Sequence, residues 1–212
     1  MKRFFKLVFA VLGGTFLLGA FLSHNSKPAP STTEKAIATS ASTPEDAARA
    51  RESLMTQDAL TVSAALDYLA HARAHLKTYY ADTDDAQSAA NELAELHGVE
   101  QRHAHGDAKG KALAQQAKAL HTQLAVVARQ IYASALEHGY VKNGFDWKVR
   151  ANGTELRLTY ALMSKPLVYK LQNESQIDVS AKQYGFTRIV YTNGFESALG
   201  MTWTEKITPD SQ

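Results

Sequence analysis

The apolar pattern of this chain changes period once, near Gly139, and that change demands two kinds of structure in one molecule. Before it, Leu113, Ala117, Leu120, Leu124, Val127 and Ile131 recur at alternating steps of four and three, continued by Ser134 or Ala135. That spacing places them on one stripe of a helix, as at a seam between packed helices. Gly139 is expected to close this helix, since glycine readily takes the left-handed turn that ends one. Upstream, Val62, Leu66, Leu69, Leu76 and Tyr80 follow the same rhythm, broken only at Arg73. Thr43-Pro44-Glu45-Asp46 reads as a helix start: a hydroxyl cap, a proline at the first helical position and two acids on the positive end of the dipole. Ala81–Asp85 can cap a further helix over 86–97, either as a continuation of the first arm or as a third helix. Glycines at 98, 106 and 110 point to a chain reversal around 98–107. The expectation over 43–139 is an alanine-rich antiparallel hairpin or three-helix region.

After Gly139 the pattern alternates. Trp147, Val149 and Ala151 face away from Lys148 and Arg150, and Asn152-Gly153 marks a tight hairpin. Leu156, Leu158, Tyr160 and Leu162 alternate back. A helix is expected between Ser164 and Tyr184, with an interruption at Asn173-Glu174-Ser175. Residues 187–191 and the alternation of Leu199, Met201 and Trp203 give two more strands around Asn193-Gly194. Residues 140–207 therefore read as a small ββαββ domain, an antiparallel sheet covered by one helix, and the fold class as α+β. Asn-Gly-Phe occurs at 143–145 and again at 193–195, which we read as reuse of a favourable turn.

The N-terminus sets the expected location. Lys2, Arg3 and Lys6 precede an uncharged apolar run from Leu7 to Leu22. Its 16 residues would make a helix of roughly 24 Å, between a signal-peptide core and a short membrane span. Residues 1–22 are expected to act as an uncut signal-anchor, in contact with the membrane through residues 4–22. The N-terminus would be cytoplasmic and the bulk of the chain would lie in the periplasm or outside. Cleavage and release into the periplasm is the alternative. Residues 23–42, rich in Ser, Thr, Ala and Pro, lack the apolar content to form a core and read as a linker; 208–212 read as a loose tail. Three of the 23 Lys and Arg lie at positions 2, 3 and 6, which leaves 20 against 21 Asp and Glu. A near-neutral balance gives no overall electrostatic signature for nucleic acid. The chain has no cysteine, so stability rests on packing.

Few residues carry recognisable chemistry. His71 and His75 stand one helical turn apart, a spacing that can supply two metal ligands but needs a third. His97, Glu100, His103, His105 and Asp107 crowd one segment. If a metal were held, its ligands would be His103 and His105, or His71 and His75; no metal or other cofactor is expected. No nucleophile elbow or phosphate-binding glycine loop is present, and the chain is not expected to be an enzyme. Aromatic residues are dense after Gly139, and Tyr160, Tyr191, Phe195 and Trp203 are expected to form an exposed interaction surface. Leu113, Leu120, Leu124, Val127 and Ile131 form the helical seam, through which the chain could self-associate. The reading is a membrane-tethered, extracytoplasmic interaction or assembly protein: a helical stalk and a small partner-binding head. A metal- or ligand-binding protein using residues 97–107 is the alternative, and a cell-envelope enzyme ranks last.

Overall fold

A computed structural model describes residues 43–195 and 199–207, and the apolar N-terminal segment, the linker and the tail lie outside them. The fold is α+β, with five helices and a four-stranded sheet among the described residues. In chain order these are α1 (Pro44–His75), α2 (Thr83–His103), α3 (Ala108–Lys142), β1 (Lys148–Asn152), β2 (Glu155–Thr159), α4 (Lys165–Glu174), α5 (Ile177–Gln183), β3 (Arg188–Thr192) and β4 (Thr202–Lys206). No described helix is long and apolar enough to cross a membrane.

Each long helix starts on a side chain that satisfies its first amides. Thr43 Oγ1 accepts from Asp46 N at 3.1 Å and donates to the Asp46 carboxylate. Asp82 Oδ1 accepts from Asp84 N and Asp85 N, while Asp85 returns the bond to Asp82 N. Asp107 Oδ1 accepts from Gly110 N at 2.8 Å. These caps pair donors that would otherwise fray the helix starts. The segment after α1 forms a helix of its own, and the reversal before α3 is confined to residues 104–107, narrower than expected, because α2 continues to His103. Gly139 does not end α3. The helix runs on to Lys142, and Gly144, at φ +82°, ends it while Phe145 N donates back to Tyr140 O. Gly194, in the other copy of the tripeptide, is also left-handed at φ +76°, so the repeat reuses a backbone turn in two unrelated settings.

The chain forms two compact units. One comprises the described residues of 25–74 together with 91–125. Its core is Ala65, Leu69 and Ala72 from α1, Leu93, Leu96 and Val99 from α2, and Leu113, Ala117, Leu120 and Leu124 from α3. The α1 stripe is not the one that the large side chains trace. Leu66 and Tyr80 are exposed, while Asp58 is buried in line with Ala65, Leu69 and Ala72. Small residues win this face because alanine lets neighbouring backbones approach closely.

The other unit comprises 75–90 with the described residues from 126 onward, so the first turns of α2 and the second half of α3 pack with the sheet. Ala81 N donates to Ser134 Oγ, and Tyr184 Oη donates to Ala86 O at 2.9 Å. The strands lie in the order β1-β2-β3-β4. β1–β2 and β3–β4, each pair consecutive in the chain, are antiparallel, but β2 and β3 are parallel. The sheet is therefore mixed, correcting the all-antiparallel expectation. The cause is the crossover: α4 and α5 carry the chain back along the sheet, so β3 sets out in the same direction as β2. Gln176, at φ 52°, breaks the crossover into these two short helices close to the expected interruption. The two-residue hairpin loop is Gly153-Thr154, one position later than the Asn-Gly signal. β4 begins only at Thr202, leaving Leu199 and Met201 exposed before it.

Candidate functional site

Register and alternation assign every strand residue to one of two faces. Val149, Ala151, Leu156, Leu158, Ile189, Tyr191, Trp203 and Glu205 share one. Helices cover it: Tyr140 of α3 stacks on Trp147 at 4.3 Å, Trp147 on Tyr160 at 5.1 Å, and Gln172 of α4 hydrogen-bonds Glu205. Tyr191 is wholly buried here and is not a surface residue, which corrects its expected place in an interaction patch. Its position at the sheet centre, beneath the helices, accounts for this. Tyr160 and Trp203 are part-buried, and of the four expected surface aromatics Phe195 alone is exposed.

Two predictions arise on the covered face. Burial raises the Tyr140 hydroxyl above its ordinary pKa, and the hydroxyl has no hydrogen-bond partner among the described residues. Tyr140→Phe removes a buried, unsatisfied donor and keeps the ring stack, so chemical denaturation should show a change between zero and about 1 kcal/mol in the stabilising direction. Glu205 accepts from Tyr191 Oη at 3.0 Å, and burial, with Asp178 nearby, raises its carboxyl. A carboxyl raised on folding binds its proton more tightly in the native state, so its contribution falls as pH rises through the native pKa. Glu205→Gln should therefore stabilise the protein at neutral pH, with the gain disappearing as pH is lowered through the carboxylate range. Melting curves across that range check both the sign and the window.

The opposite face is exposed at Lys148, Arg150, Arg188, Thr204 and Lys206 but buried at Val190 and Thr192. Its rows, read from β1 to β4, are Asn152, Glu155, Arg188, Lys206; then Arg150, Arg157, Val190, Thr204; then Lys148, Thr159, Thr192, Thr202. Glu155 is buried, and its carboxylate holds Arg157 Nε at 3.0 Å and Arg188 Nε at 2.9 Å. The side chains of Arg157 and Arg188 stay 43% and 56% exposed, so one buried carboxylate orients two guanidinium groups that still face water. At the β1 edge Arg150 pairs with Glu137 of α3, and Glu137 also accepts from Val149 N at 2.8 Å, closing an edge amide that would otherwise be open to strand addition. The loop after β3 runs over the third row: a Cβ on Gly194 would stand 2.9 Å from Thr159 Cγ2, so only glycine fits. Asn193 holds that loop, accepting from Met201 N and donating to Leu199 O. Phe195, Leu199 and Met201 are exposed on it, and Leu162 is exposed two residues beyond Tyr160, whose amide bonds Thr192 O. The sequence marks these cations only as the polar half of an alternating pattern. Their grouping around Glu155 needed the parallel β2–β3 register.

The histidines do not gather. His103 points inward, its Nε2 2.8 Å from Asp58 Oδ2, while His105 is exposed in the turn. Arg102 completes the buried group through Nε at 3.0 Å and a second, closer bond to Asp58. His71 Nδ1 lies 2.8 Å from Asp67 O, and His75 Nδ1 is 3.8 Å from Asp85. His97 and His121 approach ring to ring at 6.1 Å, with burial lowering the His121 pKa. Among the described residues no three His, Asp or Glu side chains are placed to hold a metal ion. No family model, curated protein or solved structure matches this chain. Its chemistry is therefore read from the two polar assemblies alone. Asp58-Arg102-His103 is closed and satisfied within the helices. The open sheet face is charged, half-hydrated and accessible.

Proposed function

We propose that the chain is a membrane-tethered, extracytoplasmic interaction protein whose sheet domain is the binding head. The observation that carries this reading is the asymmetry of the sheet: one face is sealed by helices, the other presents Arg157 and Arg188 on a buried glutamate. The apolar Leu7–Leu22 run supports tethering and export. Binding rather than catalysis fits a face on which no nucleophile stands beside a base among the described residues. Self-association through the seam has little support, because Leu113, Leu120, Leu124, Val127 and Ile131 are all buried in the protein itself. The helices then act as a scaffold for the head.

A photo-activatable residue at Thr204, on the open face, tests the reading in cells, with Ser63 on the exposed side of α1 as the control. Adducts at Thr204 and none at Ser63 are expected. Adducts at Ser63 alone, or at neither site, remove the head from the interaction.

A further inference from the structure

We propose that the open sheet face docks on an anionic phospholipid surface, with Arg157 and Arg188, oriented by Glu155, taking the phosphate oxyanions. The proposal rests on the reading of the sheet domain as the interaction head and names its partner. Its first support is a local conflict. Arg150 lies directly opposite Arg157, and Arg188 directly opposite Lys206. Like charges at paired strand positions destabilise a sheet, and a ladder built only for stability would alternate signs. Lys148, Arg150, Arg157, Arg188 and Lys206 instead share the face with one acid, Glu155. Glu155 can neutralise one of its two guanidinium groups, and Glu137 serves Arg150 from the edge. Among the described residues the remainder is uncompensated positive charge, on a chain whose acidic and basic residues nearly balance overall. Sequences keep such conflicts where a ligand relieves them.

Geometry narrows the ligand. Four strands at about 4.8 Å spacing place these cations in a band roughly 14 Å across. A planar guanidinium whose Nε is already fixed on a carboxylate is held ready for a phosphate group. The face carries no aromatic side chain on which bases could stack, which disfavours single-stranded nucleic acid. Phe195 is exposed next to Gly194, which crosses the third row at Thr159. Cations beside exposed large apolar side chains are the pairing that a membrane interface rewards, through headgroup charge and shallow insertion together. The apolar Leu7–Leu22 run would keep such a surface within reach, raising the effective concentration of weak contacts.

The chain has no cysteine, so Thr204→Cys carries a single polarity-sensitive fluorophore on this face. The full chain is reconstituted into vesicles of phosphatidylcholine alone or mixed with phosphatidylglycerol. A blue shift is expected only with phosphatidylglycerol, and added salt should reverse it. Lys148→Ala with Lys206→Ala leaves Glu155 and its arginines intact; at about fivefold per charge, the docked-to-undocked ratio should fall roughly 30-fold. Removing Lys109 and Lys111 on α3 should leave it unchanged. No shift on anionic vesicles, or equal loss from both double variants, overturns the proposal. A response to soluble polyphosphate but not to phosphatidylglycerol overturns it in favour of a free phosphate polymer. A silent fluorophore combined with protein adducts at Thr204 in cells overturns the lipid assignment and leaves the head reading standing. Silence in both experiments removes the two together.

Discussion

Asp58→Ala should lower the stability of the full chain by about 3 kcal/mol, the cost of breaking a buried ion pair from one side. Asp58 is 3% exposed and accepts from Arg102 and from His103. Without the carboxylate, His103, itself buried, loses its partner at Nε2. Arg102 loses less, because its side chain is 33% exposed and can turn to water. Arg102→Ala should therefore cost only about 1 kcal/mol, since His103 still bonds Asp58. Urea unfolding followed by far-ultraviolet circular dichroism measures both. A loss below about 0.5 kcal/mol for Asp58→Ala, the range of ordinary surface substitutions, would show that the cluster carries no weight.

The second large effect separates two leucines three positions apart. Leu69 is 1% exposed and Leu66 is 58% exposed. Leu69→Ala should cost about 3 kcal/mol through lost burial and the cavity left behind. Leu66→Ala should cost less than about 0.5 kcal/mol. Equal losses would restore the stripe traced by the large side chains and contradict the packing of α1.

That contrast shows what the sequence could and could not convey. The α3 seam was legible because large aliphatic residues mark it from Leu113 to Ile131. The α1 stripe was not, because its buried positions are two alanines, one leucine and an aspartate whose partners lie 44 and 45 residues away. Strand positions could be read from alternation, and the interruption of the crossover from Asn173-Glu174-Ser175. The pairing between the two hairpins could not, since alternation says which residues share a face and nothing about how β2 meets β3. Tyr191 was misplaced for that reason: at the centre of a mixed sheet an aromatic residue is core. The Arg157-Glu155-Arg188 group was hidden by the same gap, because its third member joins only across the parallel pair.

The parallel pairing of β2 and β3 also dictates an order of events during synthesis and folding. Each hairpin closes locally, but joining them waits for the whole stretch from Tyr160 to Thr187 to be made and laid down. Until then Val149, Leu156 and Leu158 form one apolar strip on a two-stranded ribbon, too small to hold itself together in water. A polypeptide that stops before Arg188 would carry that strip bare, a ready template for edge-to-edge aggregation. The sheet domain is thus indivisible at its middle. Any attempt to express it in pieces should keep residues 75–90 with the sheet and never cut within the crossover.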